Sequence, residues 1–107
     1  MQFIKDGEVF KVARITGSQD NILGVTFASE EVIVEVKAWE VNKSAKIRST
    51  SKQVLGQVLS GLELVNVTLG SQYFLSKIYF LPSDSASNAV YKLLIQELIK
   101  FFHIDKA

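Results

Sequence analysis

The sequence predicts an α+β fold: a mainly antiparallel five-stranded sheet in the order βββ-α-ββ-α, with a short middle helix and a long C-terminal helix packed on one face. Three observations lead there. Runs of alternating apolar character near the N-terminus are joined by short polar links. Two further runs rich in β-branched and aromatic residues flank a Gly-Ser pair. The C-terminal segment changes to the apolar spacing of a helix.

Residues 8–16 form the first predicted strand, and Gly17 to Asn21 is a polar loop of hairpin length. Residues 22–28 set Leu23, Val25 and Phe27 on one face against Gly24, Thr26 and Ala28 on the other. After Ser29-Glu30-Glu31, a third strand puts Val32, Val34, Val36 and Ala38 on one face and Ile33, Glu35, Lys37 and Trp39 on the other. Strands joined in sequence by short links pair antiparallel. The valine face is the expected core side.

Residues 42–52 are polar and basic. Val54, Leu55, Val58 and Leu59 then repeat as a short helix over 52–60 would, with Thr50 or a neighbouring serine as its N-cap and Gly61 closing it. Gly56 costs such a helix about 1 kcal/mol relative to alanine, so a strand over the same residues is the rival reading. Residues 62–69 and 72–81 read as strands joined by Gly70-Ser71, and Pro82 ends the second. Ser83, Asp84 and Ser85 offer caps for a helix that runs to about His103. The helices would cover one face of the sheet in two layers; the alternative is a curled sheet plugged at one end by the last helix. The expected core is Leu23, Val25, Phe27, Val32, Val34, Val36, Val90, Leu94 and Leu98.

Composition narrows the function classes. The 107 residues suit one domain spanning residues 1–107. Twelve basic and eleven acidic residues leave a charge of +1, too little to steer the whole molecule to nucleic acid or anionic lipid. With no cysteine there is no thiolate chemistry and no disulfide framework. The opening Met1-Gln2-Phe3-Ile4-Lys5-Asp6-Gly7 lacks the basic start and long apolar run of a signal peptide. No uncharged stretch approaches the roughly 20 residues of a membrane span. A cytoplasmic protein without membrane contact is the expectation.

Chemistry is thinly equipped. His103 is the single histidine, and it reads as a solvated residue ending a helix. No nucleophile elbow, phosphate loop or dinucleotide fingerprint is present. Neither a catalytic residue, a metal ligand nor a cofactor site is assigned. Glu35 shares a strand face with Ile33 and Trp39, and enclosure there would raise its pKa. A solvated face of an antiparallel sheet is the simpler reading.

Binding is better supplied. Between Glu40 and Glu63 lie Lys43, Lys46, Arg48 and Lys52, with no acid among them. Trp39 precedes this run in outward phase, unless a bulge near Ala38 turns it inward. Trp39, Lys43, Lys46, Arg48 and Lys52 are therefore the candidate contact patch, suited to an acidic protein partner. The expected function is a non-catalytic protein-binding domain, of the kind a small bacterial inhibitor or immunity-type protein uses to sequester a partner. One alternative is a nucleic-acid or phosphate-ligand module using residues 43–52. Another is a small-ligand pocket between sheet and last helix, lined by Phe74, Tyr79 and Phe102. The apolar arc of the last helix exceeds the stripe of about 100° that packing on a sheet needs. The surplus points to the first helix, a loop, or a homodimer through this helix.

Overall fold

The computed structural model describes residues 1–16, 19–39, 47–84, 86 and 89–106. It is an α+β fold with a five-stranded sheet and two helices. The sequential order is β1 (Gln2–Asp6), β2 (Val9–Thr16), β3 (Gln19–Ala28), β4 (Glu35–Ala38), α1 (Ser51–Leu69), β5 (Phe74–Phe80) and α2 (Val90–Lys106). In space the strands run β1-β2-β3-β5-β4.

The sheet is mixed. The pairs β1–β2, β2–β3 and β3–β5 are antiparallel, and β4–β5 is parallel. The order βββ-α-ββ-α is therefore corrected in two places. An additional N-terminal strand, β1, turns into β2 at Gly7, whose φ of +62° is the left-handed conformation a tight hairpin requires. Residues 62–69 are helix rather than strand, because α1 runs unbroken from Ser51 to Leu69. With no strand immediately before it, β5 has no hairpin partner in sequence. It enters the sheet between β3 and β4, and α1 becomes the crossover that a parallel β4–β5 pair needs.

The middle helix is thus long. Thr50 and Gln53 form a reciprocal capping box at its start, as the serine and threonine run suggested. Its end is Gly70, at φ +62°, not Gly61. Buried Val54, Val58, Gly61, Leu62 and Val65 form one continuous helical stripe. Gly61 lies where α2 crosses: a Cβ there would press into the carbonyl of Lys92 and the side chain of Ile95. That close approach favours glycine in the middle of a helix that would otherwise prefer alanine.

α2 begins at Val90, several residues later than the sequence suggests. Of the caps expected there, Ser85 lies outside the described residues, and the Asp84 carboxylate accepts the backbone N–H of Ile22 at 3.2 Å. The first turn is tied to α1. The side-chain oxygen of Gln57 accepts the Tyr91 N–H at 3.1 Å, and its amide donates to the Ala86 carbonyl at 2.7 Å.

Both helices pack on one sheet face. Val12, Leu23, Val25, Leu75, Ile78 and Phe80 of the sheet join the α1 stripe and Tyr91, Leu94, Ile95 and Leu98 of α2 in one buried cluster. The surplus apolar arc of α2 is thus largely taken up by α1. Of the expected core, Leu23, Val25, Val90, Leu94 and Leu98 are buried, and Phe27, Val34 and Val36 pack against them half-buried. Val32 is a correction, being 41% exposed. It precedes the short β4, where residues 31–34 do not pair with β5. No helix among the described residues is long and apolar enough to cross a membrane.

Candidate functional site

The other face of the sheet is covered by neither helix, and Trp39 lies on it. Trp39 extends β4 by one residue, its N–H donating to the Phe80 carbonyl at 2.8 Å. Alternation then sets its side chain on the face of Glu35 and Lys37. The inward turn at Ala38 does not occur.

Three strands build the platform beneath the indole. Gly24 of β3 is opposite Lys11 of β2 and Tyr79 of β5. Lacking a Cβ, Gly24 lets the indole lie directly on the sheet. Trp39 and Tyr79 stack with centroids 5.7 Å apart and planes inclined by 15°. From the other side, the Lys11 ammonium sits 5.8 Å from the centre of the Trp39 ring, within cation–π range. Lys11 also pairs with Asp6 at 3.2 Å, and Lys37 stands 3.9 Å from Glu35. Both pairs are solvent-facing and contribute little to folding. The result is an aromatic stack between lysines on the sheet face that neither helix covers.

The sequence-derived patch is only partly visible here. Lys43 and Lys46 lie outside the described residues. Arg48 is exposed, and its backbone N–H donates to the Pro82 carbonyl at 2.7 Å. Trp39 and Arg48 are thus anchored by backbone, Trp39 to the last residue of β5 and Arg48 to Pro82 two residues beyond it. Lys52 is exposed in the first turn of α1. Lys11, Gly24 and Tyr79 were not grouped with Trp39 by sequence reasoning. Their association depends on strand register across β2, β3 and β5, which no local pattern carries.

Other candidate groups resolve differently. Glu35 has an exposed side chain beside Lys37, which fits the solvated-face reading. His103 is not a free helix end: it is half-buried inside α2, with Nδ1 2.6 Å from the Tyr73 hydroxyl. Phe74, Tyr79 and Phe102 do not converge. Phe74 borders α1, Tyr79 is on the open sheet face, and Phe102 packs edge-on to Phe3 and Phe10.

A buried polar cluster joins the end of the sheet to the helices. Asn21, Ser49 and Tyr91 are buried together beside Asp84, and the Ser49 hydroxyl donates to the Asp84 carbonyl. Burial raises the Tyr91 pKa above its ordinary 10.0, and the charge of Asp84 adds to the rise. Asn21 and Ser49 lie close enough to oppose it, yet neither completes a hydrogen bond to the hydroxyl. The cluster ties together the β2–β3 end, the approach to α1 and the start of α2. Among the described residues, no three histidine, aspartate or glutamate side chains gather as metal ligands. Comparison of the chain with protein-family models, with known proteins and with solved structures found no match.

Proposed function

We propose that this chain is a non-catalytic protein-binding domain that sequesters a partner, as a small inhibitor or immunity-type protein does. The observation that carries the reading is the Trp39–Tyr79 stack, half-exposed on a sheet face that neither helix covers. Trp39 belongs to no part of the buried core cluster. Tryptophan and tyrosine at such a position supply large rigid contact area at low entropic cost, which is why they dominate binding energy at interfaces. Lys11 and Lys37 border the stack, each beside a carboxylate, so the positive surplus comes from Arg48 and Lys52 along the chain beyond it. An acidic partner surface complements them.

Site-specific photo-cross-linking tests this. A benzophenone side chain placed at Lys37, beside the stack, should capture one discrete protein in cells. The same group at Ser60, on the exposed side of α1, should not capture that protein. If both positions capture the same mixture, or neither captures anything, the sheet face is not the partner surface.

A further inference from the structure

A second surface of opposite character lies on the helix side. The β4–β5 ladder begins only at Glu35 and Lys77. Upstream of it, residues 31–34 do not pair with the first residues of β5, and a cleft of about 320 Å³ lies between that segment, Phe74 and α1. Its walls are apolar: Val32, Val34, Leu55, Leu59 and Phe74 contribute most of them. A neighbouring cavity of about 480 Å³ shares Leu59, Leu62, Phe74 and Glu31 with it and continues to Glu63 and Val67. Ile33 is 95% exposed and Val67 78% exposed at this surface. Exposed aliphatic groups around an apolar cleft are surface that a partner can remove from water.

Charge selects the partner. Glu31 and Glu63 both line the second cavity, and both side chains are exposed. Neither makes an ion pair among the described residues. Two unpaired carboxylates beside an apolar cleft favour a ligand that is apolar at its centre and cationic at its flanks.

We propose that this cleft binds a protein segment carrying an apolar side chain flanked by lysine or arginine. The apolar side chain enters between Val32, Leu59 and Phe74, and the cations meet Glu31 and Glu63. This surface is distinct from the Trp39 face and does not depend on it. A domain with both surfaces could engage one partner on each side of the sheet.

The test uses the full chain and two blocked peptides sharing the core Leu-Phe-Leu, one flanked by lysines and the other by glutamates. Binding is followed by amide chemical shifts in NMR titration. The lysine peptide should saturably shift the amides of Val32, Leu59 and Phe74, and bind about tenfold more tightly than the glutamate peptide. The double variant Glu31→Lys, Glu63→Lys should reverse the preference, and its unperturbed spectrum elsewhere verifies the fold. Equal affinity for the two peptides, no saturable shift, or a preference unchanged by the double variant would each overturn the proposal. Shifts centred on Trp39 and Tyr79 would also overturn it, while leaving the sheet-face reading standing.

Discussion

The indole of Trp39 rests on the backbone of Gly24, where a Cβ would come within 3.0 Å of ring carbons Cζ2 and Cη2 and 3.2 Å of Val9 Cγ1. The contact is with the far end of a side chain that has solvent beside it, so the ring can move. Gly24→Ala should therefore displace Trp39 without unfolding the domain. Stability should change by less than about 1 kcal/mol, since alanine also regains strand entropy. Trp39 is the one tryptophan, so its fluorescence reports this displacement alone, as a red shift at unchanged circular dichroism. Unchanged emission would mean that the indole does not lie on Gly24.

The glycines of α1 should respond with opposite signs. A Cβ at Gly56 meets nothing within 4 Å, whereas one at Gly61 collides with the backbone of α2. Gly56→Ala should stabilise by up to about 1 kcal/mol through helix propensity and unfolded-state entropy. Gly61→Ala should destabilise by about 1–3 kcal/mol, because the helices must move apart. Urea denaturation of the pair checks this; stabilisation at both positions would contradict the helix crossing.

Tyr91 predicts an alkaline limit. Its folded-state pKa is raised, chiefly by burial, above the ordinary 10.0. The folded form therefore keeps its proton where the unfolded chain has lost it. Its contribution to stability is complete below pH 10 and declines as pH rises through the folded-state pKa. Tyr91→Phe should flatten the fall in stability above pH 10 relative to wild type. Near neutral pH it should cost less than about 1 kcal/mol, because the hydroxyl completes no hydrogen bond among the described residues. Denaturant titrations across that pH range with identical alkaline slopes would contradict the burial of the hydroxyl.

Core truncations separate the start of the valine run from the true interior. Leu94, fully buried against α1 and the sheet, should lose about 2–4 kcal/mol on change to alanine. Val32, 41% exposed, should lose less than about 1 kcal/mol. Equal losses would place Val32 in the core after all.

The elements with one unambiguous period were legible in the sequence. The alternation through Leu23, Val25 and Phe27, and the helical spacing of Val90, Leu94 and Leu98, each pointed to the correct buried face. Residues 62–69 were not legible because Leu62, Val65 and Leu69 fit a helix while Val65, Val67 and Leu69, alternating with Asn66 and Thr68, fit a strand. Gly61 and Gly70 both look like helix ends, and only the passage of α2 across Gly61 decides between them. That single ambiguity also hid the parallel pair, since a strand at 62–69 would have given β5 a hairpin partner. β1 carries little signal of its own: its run Gln2–Asp6 does not alternate, and the hairpin loop Gly7-Glu8 is marked by a single glycine. At the site, the outward phase of Trp39 was readable from its own strand. Its neighbours Lys11 and Tyr79 were not, because they reach it through register across three strands.

The most direct test of the sheet-face reading is the affinity of Trp39→Ala for the protein captured by the cross-linker at Lys37, measured by calorimetry beside a thermal unfolding curve. Loss of a central aromatic anchor should weaken binding by about 2 kcal/mol, roughly thirtyfold. The unfolding midpoint should fall by no more than a few degrees, as about 1 kcal/mol of lost surface packing implies. Wild-type affinity in the folded variant would contradict the assignment of this face as the partner surface.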